Sequence, residues 1–302
     1  MMKIPPYLKK GDCIGLICPS GFMAFDKVQN CIQTLEQWGY KVVVGKTIGH
    51  QYHYFSGTDE ERLADLQNML NDKSIKAILC ARGGYGLSRI IDKINFTSFK
   101  KNPKWIIGYS DITLLQSHIH THLKIASLHS PMAAAFNDKG KTTVYVQSIA
   151  KTLKGVKQKY TCEPHEFNQS GKIEAELIGG NLSLIVHSLG TNSAYLTKNK
   201  ILFIEDIGEY LYHIDRMLIQ LKRSGFFKGI KGLLIGGFTE MKDTITPYGK
   251  TINEIILDQV KDLKIPICFN FPVGHQTENF PLKIGGKYEL NITKKLVRLK
   301  EI

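Results

Sequence analysis

The sequence predicts an α/β fold in which a parallel sheet is covered by helices on both faces. In the first half of the chain, short continuous apolar runs alternate with segments whose apolar residues recur at helical spacing. This pattern is typical of strands buried between helices. A polar stretch without periodicity covers residues 156–170, and the strand and helix patterns resume after it. A chain of 302 residues has the length of two domains or of one large one. We therefore predict an N-terminal domain over 1–155, a linker over 156–170 and a C-terminal domain over 171–302.

Four strands are predicted in the first half, each an apolar run that ends at a turn or at polar residues. They lie at 13–18, 42–44, 77–80 and 105–109. A first helix carries its apolar face from Val28 to Trp38 and ends at Gly39. A second helix begins with a capping box in Thr58–Glu61, and a third, apolar-rich helix follows Asp111.

The second half predicts a mixture of strand types. Residues 173–178 alternate apolar residues with glutamates, which indicates a half-exposed strand, whereas 201–204 is continuously apolar and indicates a buried one. Helices are expected after Asn181 and from Ile214 to Leu221, with Gly225 as a stop. Further strands are expected at 233–235 and 267–269, and antiparallel strands between 282 and 299.

The composition is that of an ordinary globular protein, with 43% apolar and 22% charged residues, which excludes a disordered or collagen-like chain. No stretch approaches the ~18 apolar residues of a membrane-spanning helix, and the first residues lack the apolar core of a secretory signal. The six cysteines are scattered and form no C-x-x-C pair, which favours reduced thiols over a zinc site or a disulfide framework. Reduced thiols are typical of the cytoplasm, so we expect a cytoplasmic protein.

The chain is strongly basic, with a formal net charge of +13, but its lysines are spread along the whole length. No basic helix, zinc-finger pattern or aromatic RNA-binding motif accompanies the charge. We interpret it as a solvated basic surface rather than a nucleic-acid site. Such a surface also favours an anionic small substrate.

The strongest local candidate for chemistry is Trp105–Asp111, a strand followed by a serine at the start of a helix. Function in parallel α/β sheets concentrates at the carboxyl ends of the strands. Ser110 would project its hydroxyl from a tight turn there, with the backbone N–H of Asp111 directed at a developing oxyanion. The G-x-S-x-G pattern is not matched, because Ile112 replaces the second glycine. An ordinary Ser or Asp helix cap is the alternative that this motif leaves open.

A glycine cluster, Arg82–Gly86, also follows a predicted strand. Clustered glycines let backbone N–H groups approach a ligand closely, so this loop could hold a phosphate or supply a second oxyanion donor. Neither the Walker pattern nor the G-x-G-x-x-G spacing is present. A plain tight turn is the alternative.

A serine nucleophile needs a base, and the base needs an orienting carboxylate. His275 lies in a loop directly after a predicted buried strand, and Glu205 ends another. With Ser110 they form a candidate Ser–Glu–His set, although a carboxylate at a strand end also serves as a cap or an ion pair. His118 and His122 share a helix face, but the H-E-x-x-H signature is missing, so a structural role is favoured over a metal pair.

Short motifs occur in order along nearly the full length of the chain. They lie at 6–12, 19–20, 81–86, 108–111, 179–182, 203–206, 214–218 and 272–275. Together they resemble the LD-carboxypeptidases, a family of serine peptidases. The resemblance implies a flavodoxin-like N-terminal domain with a parallel sheet and a smaller C-terminal mixed β/α domain. It further implies that Ser110 is the nucleophile, His275 the general base and Glu205 its orienting carboxylate.

The resemblance carries the two oxyanion donors onto the backbone N–H groups of Gly84 and Asp111. It implies a cytoplasmic, homodimeric hydrolase without metal or cofactor, which removes the terminal D-alanine from murein tetrapeptide during cell-wall recycling. The partner is then a small peptide, with no nucleic acid and no membrane. Arg82 is our candidate for the substrate's free carboxylate, with packing in the turn as its alternative. Gln276 stands where relatives often have glycine, and we expect it to alter the substrate rim.

Two other functions remain open. An immunity-type serine peptidase of the same fold would cleave aminoacyl-nucleotide antibiotics, and stacking on a nucleobase favours a tryptophan in a loop near the site. The only tryptophans are Trp38 and Trp105, which we assign to helix packing and to a strand start. A non-catalytic nucleotide-binding protein would use the glycine loop for phosphate and would not depend on Ser110.

Overall fold

The structure is a computed structural model that describes residues 2–138 and 143–302. The strands are β1 (Cys13–Ile17), β2 (Lys41–Val44), β3 (Ile75–Cys80), β4 (Trp105–Gly108), β5 (Ser127–His129), β6 (Lys159–Cys162), β7 (Gly171–Asn181), β8 (Lys200–Ile207), β9 (Gly232–Thr239), β10 (Ile267–Cys268), β11 (Leu282–Ile284), β12 (Lys287–Ile292) and β13 (Val297–Glu301). The α-helices are α1 (Gln29–Gln37), α2 (Asp59–Asn71), α3 (Thr97–Lys101), α4 (Ile112–His118), α5 (Thr143–Leu153), α6 (Leu182–His187), α7 (Leu211–Arg223) and α8 (Ile252–Val260).

The first sheet has the strand order β11-β5-β4-β3-β1-β2. Strands β1 to β5 are parallel to one another, and the order 2-1-3-4-5 is that of flavodoxin-like folds. The predicted fold class is therefore confirmed. Strand β11 comes from the second half of the chain and pairs antiparallel with β5, so the C-terminal half supplies an edge strand to the N-terminal sheet.

The second sheet is mixed and has the order β10-β9-β8-β7-β12-β13-β6. Strands β7 to β10 are parallel, and β12, β13 and β6 continue the sheet antiparallel. The two outer strands of this sheet, β10 and β6, lie close to each other. The Sγ atoms of Cys162 on β6 and Cys268 on β10 are 4.0 Å apart, and Gln169, which follows β6, forms a β-bridge with Ile267 on β10. The segment 156–170, which we predicted as a linker, thus contains β6 and belongs partly to this sheet. The division into two domains stays a prediction.

Helix α4 holds the two sheets together behind the serine turn. Thr113 on this helix accepts a hydrogen bond at Oγ1 from the backbone N–H of Asn181, 3.1 Å away at the end of β7. The approach is close because Gly180 has a φ of +146° and a Cβ placed there would lie 2.5 Å from Thr113 Oγ1. The carboxyl ends of β4 and β7 therefore face one common region. No helix in the described ranges, 2–138 and 143–302, has the length and apolarity needed to cross a membrane.

Candidate active site

Ser110 lies in a sharp turn between β4 and α4, with a φ of +64°. A non-glycine residue in this left-handed region is uncommon, and such strain clusters at functional sites. Gly108, at the end of β4, has a φ of +155°, and a Cβ there would lie 3.0 Å from the side chain of Ile112. The first turn of α4 closes through the bond from Thr113 N–H to the Ser110 carbonyl, 2.9 Å. The backbone thus has the form of a nucleophile elbow.

The helix-cap alternative is wrong, because neither side chain of the Ser110–Asp111 pair caps α4. Asp111 is fully buried, and its Oδ2 accepts hydrogen bonds from Ser20 Oγ at 2.6 Å and Leu87 N–H at 2.9 Å. Burial raises the pKa of the Asp111 carboxyl above its ordinary range. Its side chain therefore ties the serine turn to the loop after β1 and to the end of the glycine loop. Its own backbone N–H donates to no group within the described chain.

The glycine loop lies directly against the serine, and the contact is made by Gly83. A Cβ placed on Gly83 would lie 2.8 Å from Ser110 Cβ, 3.0 Å from Ser110 Oγ and 3.2 Å from the nitrogen of Asp111. The carbonyl of Gly83 accepts a hydrogen bond from Gly21 N–H at 3.0 Å. In a trans peptide the N–H of the next residue, Gly84, points the opposite way. The sequence motif singled out Gly84, and the close approach of Gly83 was not foreseen.

His275 and Glu205 form a hydrogen-bonded pair. His275 Nδ1 lies 2.6 Å from Glu205 Oε2, and the His275 backbone N–H donates to the same oxygen at 3.2 Å. The Glu205 side chain is fully buried, whereas that of His275 is 13% exposed. Gly274, with a φ of +107°, permits this approach, since a Cβ there would lie 2.6 Å from Glu205 Cβ. With Nδ1 engaged, Nε2 is the ring nitrogen left for a proton transfer.

The contact between Glu205 and His275 lowers the pKa of the carboxyl group and raises the pKa of the imidazole. Burial alone would raise the pKa of Glu205, but the charge and hydrogen bonds of His275 outweigh it and hold this pKa below its ordinary value. Burial alone would lower the pKa of His275, and Glu205 outweighs that too, so the His275 pKa lies above its ordinary value. Glu205 is therefore an anion that stabilises the imidazolium form of its partner.

Ser110 and His275 line one cavity of about 480 Å³ at the carboxyl ends of the strands. Its walls also include residues 82–84 of the glycine loop, residues 131, 132, 134 and 135, and residues 276, 277 and 279. In the structure as described, no hydrogen bond joins Ser110 Oγ to His275 Nε2, as is common for catalytic contacts before substrate binds. Arg82 is the only lysine or arginine among the described lining residues, and its Nη1 donates to the Phe22 carbonyl at 2.7 Å.

Two aromatic residues behind the pair were missed by sequence reasoning. The Tyr109 ring centroid lies 4.6 Å from that of His275, and burial followed by the nearby Glu205 charge raises the Tyr109 pKa to about 12. His129 packs 5.7 Å from Tyr109; it is fully buried, and burial lowers its pKa to about 4. Tyr109 stood inside the serine motif, whereas no pattern set His129 apart from nine other histidines.

The histidines after the elbow do not join this site. The rings of His118 and His122 are 4.6 Å apart, and His118 Nδ1 lies 3.0 Å from Ser193 Oγ. Across residues 2–138 and 143–302, no group of three or more His, Cys, Asp or Glu side chains is arranged to hold a metal ion.

Comparison with known proteins assigns the chain to a family. Residues 14–130 match the LD-carboxypeptidase N-terminal domain, and residues 174–290 match the LD-carboxypeptidase C-terminal domain. The chain belongs to the LD-carboxypeptidase family. The resemblance found in the sequence motifs is confirmed, and with it the expectation of a hydrolase of the carboxypeptidase type.

Named relatives cover almost the whole LD-carboxypeptidase chain. A probable murein peptide carboxypeptidase of Bacillus subtilis is 36% identical over 296 residues, which is 96% of this chain and 92% of the relative. The murein tetrapeptide carboxypeptidase of Pseudomonas aeruginosa is 27% identical over 276 residues, 88% of this chain and 89% of the relative.

Solved structures show the same family fold. The muramoyltetrapeptide carboxypeptidase of Oxalobacter formigenes superposes with a TM-score of 0.87 at 27% identity, covering 96% of this chain and 98% of that one. A microcin C7 self-immunity protein in complex with adenosine monophosphate superposes with a TM-score of 0.88 at 23% identity, covering 100% and 99%. The second likeness is one of fold alone.

Proposed function

We propose that the protein is a serine LD-carboxypeptidase that removes the terminal D-alanine from murein tetrapeptide in cell-wall recycling. One observation carries the proposal: the buried Glu205–His275 pair opens onto the same cavity as a serine held in a strained turn. A nucleophile, a base and a carboxylate that orients the base are the parts of a serine hydrolase. Ser110, His275 and Glu205 fill these roles in that order.

The reaction begins when neutral His275 accepts the hydroxyl proton of Ser110 through Nε2. Ser110 Oγ then bonds to the carbonyl carbon between an L-centre and D-alanine, and the negative charge moves to the carbonyl oxygen. The Asp111 and Gly84 N–H groups stabilise that oxyanion. The His275 imidazolium returns its proton to the leaving amine of D-alanine. Water, activated by His275, then hydrolyses the ester on Ser110 and regenerates the enzyme.

We expect Gly83→Ala to lower kcat/KM about 10²–10³-fold, the size of the loss of an oxyanion donor. The added methyl would lie within 3.0 Å of Ser110 Oγ and would occupy the space of the oxyanion. The measurement is steady-state D-alanine release. Gly249→Ala is the control for a strained glycine substitution away from the site, since its φ is +84° but its Cβ would meet nothing within 4 Å. If Gly83→Ala were as active as this control, the glycine loop would not be part of the oxyanion site.

The free carboxylate of D-alanine needs a cation, and we propose Arg82 for this role. It is the one basic side chain other than His275 among the described residues of the cavity wall. We expect Arg82→Ala to raise KM about tenfold with a smaller change in kcat, because a charge-assisted hydrogen bond to substrate is worth roughly 1.5–3 kcal/mol. Arg82→Lys should recover part of the loss. An unchanged KM would leave Arg82 with only its bond to Phe22.

An immunity-type peptidase that cleaves aminoacyl-nucleotides is the competing function on this fold. Neither tryptophan favours it. Trp105 is fully buried and donates Nε1–H to the Pro6 carbonyl, and Trp38 packs 6.1 Å from Phe136 beside a different cavity. The test is a parallel assay of murein tetrapeptide and an aminoacyl sulfamoyl nucleotide. Faster cleavage of the nucleotide substrate would replace the murein proposal.

Two finer properties belong to the same proposal. The family resemblance supports a cytoplasmic protein that acts as a homodimer. Buried thiols at Cys13, Cys18, Cys31, Cys80 and Cys268 fit a reducing compartment.

A further inference from the structure

A buried histidine behind the Glu205–His275 pair has no role in the reaction described so far. His129 ends β5, and its backbone pairs with Gly108 of β4 on one side and with Leu282 of β11 on the other. Its side chain is fully buried, and His129 is not among the described residues that line the active-site cavity. It therefore does not touch substrate, and any effect on the reaction must pass through another residue.

The rings around His129 connect it to both members of the pair. The His129 ring centroid lies 5.7 Å from that of Tyr109 and 4.9 Å from that of Phe203. Tyr109 in turn packs 4.6 Å from His275. Phe203 and Glu205 are two residues apart on β8, which keeps a regular register with β7 there, and alternate residues of a strand point to the same face. The His129 ring thus packs on the face of β8 from which Glu205 reaches His275.

Three polar atoms of this cluster are buried without a partner. Glu205 Oε2 is bound by the backbone N–H and the Nδ1 of His275, whereas Oε1 has no hydrogen-bond partner within the described chain. Both ring nitrogens of His129 are also buried and have no partner there. A buried polar atom left unpaired is costly, above all on a charged group. A carboxylate oxygen and an imidazole N–H satisfy each other.

The charges around His129 favour this pairing. His129 is neutral, because complete burial lowers its pKa to about 4 although the nearby Glu205 charge acts to raise it. A neutral imidazole carries one N–H donor and one acceptor nitrogen. Asp206 on β8 and Glu240 after β9 act on His275, whereas the charges that act on His129 are those of Glu205 and His275. The Glu205 anion therefore orients the His129 donor towards itself.

We propose that His129 is a positioning residue for Glu205, its neutral imidazole donating a ring N–H to Oε1 directly or through one buried water. The bond keeps Oε2 turned towards His275, an inference that rests on the proposed function of the pair as the base. A donor that stabilises the Glu205 anion also limits how strongly that anion holds a proton on His275. It thereby keeps the pKa of His275 closer to neutrality, where a general base is most effective.

The test replaces His129 by Phe, which keeps an aromatic ring between Tyr109 and Phe203 but has no donor. We expect kcat for D-alanine release to fall about tenfold, the order of one hydrogen bond to a charged group. The rise of kcat/KM with pH should move to higher pH, opposite to the shift expected for Glu205→Gln. A partly misfolded enzyme would be slower at every pH without this movement.

Two amide variants and a matched control complete the series. His129→Asn and His129→Gln each restore an N–H donor, near the positions of Nδ1 and Nε2 respectively, so one of them should recover much of kcat and return the rise of kcat/KM towards its wild-type pH. His122→Phe is the control, because the exposed His122 ring lies outside the cavity wall and contacts His118. It should leave both kcat and the pH profile unchanged.

Nitrogen-15 NMR of the histidines measures the same contact without any substrate. In the wild-type enzyme we expect a neutral His129 with a slowly exchanging ring N–H, and in His129→Phe a His275 that titrates at higher pH. A His275 titration that stays in place or moves to lower pH would overturn the positioning role, and so would a loss of kcat that neither amide recovers. The expected NMR shift in a protein that releases no D-alanine would keep the contact and remove the proposed function.

Discussion

Ser110→Ala is expected to lower kcat about 10⁶-fold, the loss seen when a serine hydrolase is deprived of its nucleophile. The variant removes the atom that bonds to the carbonyl carbon. The methyl group of alanine fits where the serine Cβ already lies, so the fold is retained. Ala also tolerates a φ of +64° no worse than Ser does. Substrate affinity should remain, because the cavity wall is unchanged.

The measurement is D-alanine release under single-turnover conditions, with binding followed by calorimetry on the same preparation. Ser98→Ala is a matched control, since the Ser98 hydroxyl makes one 3.4 Å hydrogen bond to the Asn71 carbonyl on the surface. The control should be fully active. A Ser110→Ala enzyme within tenfold of wild type would mean that another group attacks the substrate, and the mechanism above would be wrong.

Glu205→Gln is expected to lower kcat about 10⁴-fold, as for the matching carboxylate-to-amide change in a Ser-His-Asp triad. The amide keeps the shape of the side chain, but its NH₂ group can turn towards His275 Nδ1 and stabilise the wrong tautomer. It also removes the buried charge that stabilises the imidazolium. Glu174→Gln, whose side chain is 52% exposed on β7, is the control and should leave kcat unchanged.

Glu205→Gln should also shift the pH profile of kcat/KM to lower pH. Activity requires neutral His275, so kcat/KM rises as the pH passes upward through its pKa. Glu205 raises that pKa in the wild-type enzyme, whereas burial alone lowers it. In Glu205→Gln the residual activity should therefore begin its rise at a lower pH. If the rise of kcat/KM stayed at the same pH or moved to higher pH, Glu205 would not set the pKa of His275.

The parallel strands of the first sheet were predictable because each is a short buried apolar run that ends at a turn. The edge strands were not. Only Tyr160 is fully buried within β6, so the strand has no apolar run to mark it and was taken as linker. Strand β11 has three residues, and nothing in Leu282–Ile284 indicates that it joins the sheet of the other half. Both pairings depend on contacts distant in sequence.

The candidate site followed from family motifs and from position, because the sequence predicts Ser110, Glu205 and His275 each at the end of a buried strand. In the structure Ser110 follows β4, Glu205 lies near the end of β8 and His275 lies in the loop after β10. The order of strands in the sheets decides which strand ends lie close together, and the sequence alone does not reveal that order. The role of Gly83 depends on which Cα faces the serine hydroxyl, a difference of one residue that a glycine cluster does not reveal. The packing of His129 behind Tyr109 depends on the fold in the same way.

The central claim is tested most directly by D-alanine release from L-Ala-γ-D-Glu-meso-diaminopimelate-D-Ala by the wild-type enzyme, with chelator present. The same peptide ending in L-alanine is the matched control. We predict that D-alanine and the tripeptide appear in equal amounts, and that the L-alanine peptide stays intact. An enzyme that releases nothing from the first peptide, or that hydrolyses both peptides equally, would contradict an LD-carboxypeptidase acting on murein tetrapeptide.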